Sequence, residues 1–235
     1  MGGLLLAPIP GRAVESHLTR TSPPAVSYFE VSGWTTSGDY GGTETTDVYA
    51  LEGEYGYVGP RYDFAVIVPV ISVSNAETTS GLGDVLVSGG AMLKQGGWKD
   101  VSLRGEVDVK LPTADDDLGT GATDVGVFVN GWKPLESWIL LFSGGYVVNG
   151  DSGGVEYDDV FYYGLGASRF FTRTYAYVTL EGSGSEVGGA DAPLALFGGG
   201  YYRIDPRRFL TGELQFGLSD GSPDSGIRLG LSTWF

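Results

Sequence analysis

Between Val101 and Leu111 the chain alternates strictly. Val101, Leu103, Val107, Val109 and Leu111, with Gly105, fall on one face of an extended segment, and Ser102, Arg104, Glu106, Asp108 and Lys110 fall on the other. A period of two over this length marks a β-strand between unlike surroundings. Consecutive charged positions on one face are too polar for a packed core. The strand therefore belongs either to a soluble sheet with that face in water or to a membrane barrel with that face in its lumen.

From residue 25 onward the pattern repeats and predicts twelve strands: Ala25–Thr36, Asp47–Val58, Arg61–Ser72, Val85–Lys94, Trp98–Leu111, Val125–Trp132, Ser137–Val148, Val160–Phe170, Arg173–Glu181, Pro193–Arg203, Arg207–Leu218 and Ile227–Phe235. No stretch has a helical period. The last strand sets Ile227, Leu229, Leu231, Thr233 and Phe235 against Arg228, Gly230, Ser232 and Trp234. In the eleventh, Leu210, Leu214, Phe216 and Leu218 oppose Thr211, Glu213, Gln215 and Gly217. The seventh, containing Ile139-Leu140-Leu141-Phe142, is apolar on both faces and leaves its orientation open.

The connections alternate in length. Gly59-Pro60, Gln95-Gly96-Gly97, Lys133–Glu136, Phe171-Thr172 and Ile204-Asp205-Pro206 are short and carry turn chemistry or leave room only for a hairpin. Ser37–Thr46, Val73–Asp84, Pro112–Asp124, Asn149–Asp159, Gly182–Ala192 and Ser219–Gly226 are longer and rich in Gly, Ser, Thr and Asp. Short turns at one end, long loops at the other and an even strand number are the pattern of outer-membrane barrels.

Charge sorts along the same axis. The six long connections hold sixteen acidic residues and no Lys or Arg, while nine of the fourteen basic residues sit at or beside the short turns, Lys94, Lys99 and Arg203 among them. A soluble sheet protein is expected to intermix its surface charges. Aromatic residues also gather near the turns: Tyr55, Tyr57, Tyr62, Phe64, Trp98, Trp132, Trp138, Phe170, Tyr201, Tyr202, Phe209, Trp234 and Phe235. This clustering predicts an interfacial girdle.

Composition narrows the function classes. Glycine supplies 40 of 235 residues and aromatics 13%, which is not the composition of a disordered chain. The net charge of −15 argues against nucleic-acid binding. There is no cysteine, hence no disulfide framework and no thiolate metal site. No apolar run reaches the ~18 residues of a membrane-spanning helix, so a membrane crossing would require a closed barrel. Residues 1–24, with four prolines and the single histidine, His17, read as an irregular arm, a signal remnant or a plug, ahead of a barrel over residues 25–235.

The inward-facing charges expected on this reading are Glu52, Glu54, Arg104, Glu106, Asp108, Lys110, Glu181, Glu213 and Arg228. They would line an aqueous passage, or neutralise one another in a filled lumen. Twelve strands lie between filled eight-stranded barrels and open sixteen-stranded porins. The acidic runs Asp115-Asp116-Asp117 and Glu156-Tyr157-Asp158-Asp159 lack the spacing of a calcium loop and are read as solvated charge, not a metal site. Gly119-Thr120-Gly121 opens no helix and is followed by no lysine, so it is no phosphate loop. His17 lies outside every strand, and no acid–base constellation is visible; the expectation is no catalytic residue, no cofactor and no enzyme.

Gly81-Leu82-Gly83-Asp84, Leu111-Pro112-Thr113 with acidic residues after it, and Gly119-Thr120-Gly121-Ala122-Thr123-Asp124-Val125-Gly126 together resemble the outer-membrane proteins of the meta-pathway phenol-degradation transporter-like family. The ending Ser232-Thr233-Trp234-Phe235 resembles the C-terminal assembly signal of bacterial outer-membrane proteins, which would assign Trp234 and Phe235 to it. The resemblance implies a barrel in a Gram-negative outer membrane, both termini periplasmic, in contact with lipid and lipopolysaccharide and delivered by the barrel assembly machinery. It implies passage of a small-molecule substrate, hydrophobic or aromatic in kind. The alternative is a non-conducting barrel that binds a partner through its acidic loops or its arm.

Overall fold

A computed structural model describes residues 25–39, 44–97, 100–115, 118–151 and 157–235. The expected arm 1–24 with His17, the turn residues Trp98 and Lys99, the loop acids Asp116 and Asp117, and Glu156 lie outside the described residues.

The chain forms one antiparallel sheet from β1 (Val26–Gly38), β2 (Thr46–Val58), β3 (Tyr62–Ser74), β4 (Thr78–Leu82), β5 (Val85–Lys94), β6 (Ser102–Leu111), β7 (Asp124–Leu135), β8 (Trp138–Val148), β9 (Val160–Phe170), β10 (Thr174–Ser183), β11 (Leu194–Arg203), β12 (Arg208–Gly217) and β13 (Ser225–Trp234). Neighbouring strands in sequence pair, except that β5 pairs with β3 in place of β4, and β1 pairs with β13 from Tyr28↔Trp234 to Ser37↔Ser225, which closes the sheet. At the seam Ser27 and Phe235 exchange backbone hydrogen bonds of 3.1 and 2.9 Å. Closure matters because hydrocarbon offers nothing to an unpaired N–H or C=O.

β4 and β5 lie end to end along β3. Val70–Ser74 pairs with β4 and Tyr62–Ile67 with β5, and the Gly83 N–H donates to the Pro69 carbonyl at the break, 2.9 Å. Two strand segments thus make one wall strand, and the barrel has twelve. The expected loop Val73–Asp84 is corrected: β3 runs on to Ser74, Asn75–Glu77 is a short turn, and β4 returns. The Ser/Thr/Gly-rich sequence reads as loop, yet its hydroxyls pair across the ladder, Ser80 to Ser72 at 2.7 Å and Ser74 with Thr78 at 3.1 Å. β6 begins at Ser102 rather than Trp98, since Gly97 and Asp100 are joined in the preceding turn.

The period of two sorts every strand into an outward and an enclosed face. On β6, Arg104, Glu106, Asp108 and Lys110 are 3–5% exposed while Val107 between them is 46% exposed. Outward positions such as Val31, Leu51, Val127, Leu165, Val178 and Leu229 form a continuous apolar band far larger than a water-facing surface carries. β8 resolves itself by packing. Leu141 is buried with Trp132 and Ile139 packs beside them, so these face in, while Phe142 lies outward over Gly131.

Part of the expected girdle is corrected as well. Tyr55, Tyr62, Phe64, Trp138, Tyr202 and Phe235 are outward, but Trp132 and Tyr201 are buried inside, and Phe170 shares the inward parity of Ser168 with its ring 4.6 Å from that of Tyr175. Phe209 and Trp234 share the inward parity with their rings tilted together 4.9 Å apart, and Tyr28 meets Trp234 at 6.2 Å. These rings make an aromatic layer inside the turn end. Glycines make room for it and for the other enclosed rings. A Cβ at Gly56 would overlap the Tyr28 ring, and one at Gly145 would overlap Phe128.

Two outcomes test these faces by denaturant titration of the protein folded into vesicles. Val107→Arg is expected to cost about 2–4 kcal/mol, because it places a guanidinium against mid-bilayer lipid. Gly145→Val is expected to cost about 1–3 kcal/mol by driving Phe128 off the wall.

Candidate functional site

On the enclosed face the described carboxylates outnumber the described bases. Among the described residues Glu30, Glu52, Glu54, Asp63, Asp84, Glu106, Asp108, Asp124, Glu181 and Glu213 share it with Arg104, Lys110 and Arg228. All nine charges expected from the sequence therefore lie on the enclosed face. Glu30, Asp63, Asp84 and Asp124 were not among them; each sits at a strand end or among aromatics, where the alternation is hard to read.

Around Arg104 the network is compact. Its Nε donates to Asp63 Oδ2 at 2.9 Å, its Nη2 contacts Asp63 Oδ1, and its Nη1 reaches Glu106. Asn130 Nδ2 and Ser88 Oγ donate to Glu106 as well, at 3.0 and 3.3 Å. This joins β3, β5, β6 and β7 across the inside of the wall. A guanidinium fork facing two carboxylates is the arrangement that makes an enclosed charge tolerable.

Lys110 organises the loop end. Its Nζ donates to Thr120 Oγ1 at 2.7 Å, contacts Asp124, and lies 3.6 Å from Asp84. Asp84 Oδ1 accepts from the Thr113 and Ala114 N–H groups, both at 3.0 Å, and Thr113 Oγ1 accepts from the Val85 N–H at 2.9 Å. The three separated motifs Gly81–Asp84, Leu111–Thr113 and Gly119–Gly126 are thus brought together around one ammonium. Asp115 accepts from the Leu82 N–H at 2.8 Å, and Leu118 and Ala122 are buried, which folds the β6–β7 connection against the wall. Gly121 adopts φ +71°, a conformation that suits glycine.

In the β10–β11 loop, Glu186 accepts from the Tyr162 hydroxyl at 3.3 Å. Burial lifts its carboxyl to about 7, with the nearby Asp124 adding to the rise and Lys110 opposing it. Of the other loop acids, Asp159 accepts from the Asn149 N–H at 3.1 Å and the Tyr146 hydroxyl at 3.2 Å, and Asp158 donates its backbone N–H to the Glu186 carbonyl at 2.8 Å.

Arg228 stands opposite Arg104 in kind, one base among several acids. Its Nη2 donates to Ser32 Oγ at 3.0 Å and lies 3.1 Å from Glu52 and 3.8 Å from Glu30, with Glu54 and Glu213 close enough to act on it electrostatically. Trp34 Nε1 donates to Glu52 at 2.7 Å, the Tyr28 hydroxyl to Glu54 at 2.6 Å, and the Tyr177 hydroxyl to Glu213. Beside this patch the inner wall of β7–β11 is aromatic and aliphatic, through Trp132, Leu141, Tyr175, Tyr177 and Tyr201 and through Phe128, Val147, Val160 and Tyr162. The expected assembly-signal pair divides between faces, Trp234 inward against Phe209 and Phe235 outward.

No family model matches the chain, and no curated protein does. Among solved structures, the chain is similar to an outer membrane channel from Pseudomonas putida F1, with a TM-score of 0.76 and 15% identity over 91% of this chain and 97% of that one. It is similar to the translocator domain of the autotransporter NalP from Neisseria meningitidis, with a TM-score of 0.61 and 13% identity over 95% and 93%. The NanC porin gives a TM-score of 0.57 and 12% identity over 87% and 98%. Likeness at such identities speaks for the fold: a closed, twelve-stranded antiparallel β-barrel of the outer-membrane type.

Replacing Lys110 with Met is expected to leave Asp84 and Asp124 enclosed without their shared cation. The cost should approach about 3 kcal/mol, with faster proteolysis of the β6–β7 connection. For Glu186, the folded carboxyl is raised above its unfolded value, so folding holds a proton that the unfolded chain gives up first. Stability should therefore fall as pH rises from 4.5 to about 7. Glu186→Gln should flatten that slope in unfolding titrations run across the interval.

Proposed function

We propose that this protein is a channel of the bacterial outer membrane through which small molecules pass. The observation that carries the reading is the charged, enclosed face set behind a continuous apolar outer band. A barrel needs the band to sit in lipid, but nothing about membrane residence requires so many charges inside. Barrels of similar fold include one named as a channel and one named as a porin. In this reading the turns and both termini face the periplasm, the acidic loops face outward, and lipid and lipopolysaccharide surround the band. The Phe235 ending engages the barrel assembly machinery. The resemblance of the Gly81–Asp84, Leu111–Thr113 and Gly119–Gly126 motifs to the phenol-degradation transporter-like family favours a hydrophobic or aromatic permeant.

One observation favours a second reading. Arg104 and Lys110 are each satisfied by neighbouring carboxylates and barely exposed, as in a lumen that holds itself shut. On that reading the barrel conducts nothing and serves a partner through its loops or residues 1–24.

Single-channel recording in planar bilayers separates the two. Discrete steps are expected from the full chain, or from a chain lacking residues 1–24 if those residues plug the lumen. Silence from both forms, with insertion verified, would overturn the channel. Arg104→Ala is expected to change conductance or ion selectivity by unlocking Asp63 and Glu106; an unchanged trace would remove Arg104 from the passage.

A further inference from the structure

Resting on the reading that the turns face the periplasm, we propose that the outward rim of β7–β9 at the turn end binds the phosphate headgroup of an anionic glycerophospholipid. Three strands bring the site together. The pairs Leu135↔Trp138 and Ile139↔Ser168 set Leu135, Trp138 and Arg169 side by side across β7, β8 and β9. All three lie on the outward parity, opposite to the buried Trp132, Leu141 and Ser168. Trp138 is 50% exposed, and Phe171, just past β9, is 55% exposed. The Arg169 guanidinium carbon lies 5.6 Å from the centre of the Trp138 ring and 5.4 Å from that of Phe171. Lys133 shares the outward parity of β7, and Arg173 is exposed in the turn that follows β9.

A guanidinium held against two rings is fixed in place by cation–π contact, and its fork of N–H donors matches two oxygens of a phosphate. Outward rings at the end of an apolar band mark the depth at which hydrocarbon gives way to headgroups. Arg169 and Lys133 thus stand on the lipid side of the wall at the height of the phosphates. There a long basic side chain lays its stem along apolar surface and its charge among headgroups. The β7–β8 and β9–β10 turns carry one acid, Glu136, against Lys133, Arg169 and Arg173 in or beside them. That set favours a lipid of net negative charge, since a zwitterionic headgroup would bring its own ammonium among these bases. Leu135, 46% exposed, and the two rings offer apolar contact to the glycerol and the first acyl carbons. A soluble acidic protein would meet the bases and leave those apolar groups unanswered.

The test folds the full chain into phosphatidylcholine vesicles containing phosphatidylglycerol, with bromine on the acyl chains of one lipid or the other, and reads tryptophan quenching. The difference between the full chain and Trp138→Phe isolates Trp138 from Trp34, Trp98, Trp132 and Trp234. Brominated phosphatidylglycerol should quench Trp138 several-fold beyond its share of the vesicle. Lys133→Gln/Arg169→Gln, checked for folding by heat-dependent gel mobility, should bring quenching down towards that share, a loss of about fivefold for each base removed. Lys133→Arg/Arg169→Lys, which keeps both charges, should retain most of the preference. Quenching in proportion to composition from the start would overturn the site, and so would a preference that survives the loss of both bases. Soluble polyglutamate that shifts Trp138 emission, with no lipid preference, would give the rim to an acidic protein and overturn the lipid site. Orientation is read separately from Glu136→Cys, the sole thiol in a chain without cysteine, with a bulky maleimide on intact cells. Labelling there would overturn the periplasmic reading and with it the leaflet, while the vesicle result would still decide the headgroup.

Discussion

The structure depends on closing one sheet on itself. In a bilayer the hydrocarbon cannot pair with backbone amides, so an open edge anywhere around the wall would strand a row of donors and acceptors. The β1–β13 pairing removes that edge and in doing so divides every strand between two environments. That division is why Val107 and Asp108, adjacent in sequence, answer to different physics. One is selected for contact with lipid, and the other for company among enclosed polar groups.

Enclosure then imposes its own requirement. A charge inside the barrel has lost most of its water, and it persists only where neighbours replace that hydration. Arg104 meets the requirement through Asp63 and Glu106, and Lys110 through Thr120, Asp124 and Asp84, so the same contacts that settle the charges also stitch loop to wall. Around Arg228 the described acids outnumber the described bases. The aromatic wall of β7–β11 gives the enclosed face a second character, so that it presents an acidic side and an apolar side together.

The sequence showed the barrel because period-two alternation survives wherever lipid and lumen differ sharply, as on β6 and β13. It showed the ends because charge and loop length sort along the barrel axis. It was mute where both environments favour the same residues. β8 could not be oriented from Ile139–Phe142, since an apolar inner wall erases the contrast on which the reading relies. The aromatic residues near the turns told their height but not their face. Trp132 and Tyr201 share the parity of Asn130 and Gly199 and turn inward, and counting parity would have found them. The Lys110 cluster was visible only as three separate motifs, because its partners come from connections whose paths alternation does not specify. The return strand β4 was hidden because its Thr and Ser ladder looks like a loop.

The seam between Ser27 and Phe235 also sets a clock. Pairing between β1 and β13 joins residues nearly the whole chain apart, the kind of contact that forms late and slowly. No part of the wall is complete until Phe235 has been made, so the apolar band has no finished barrel to belong to during synthesis. The chain must travel as an unfinished sheet and become a protein only where lipid is waiting.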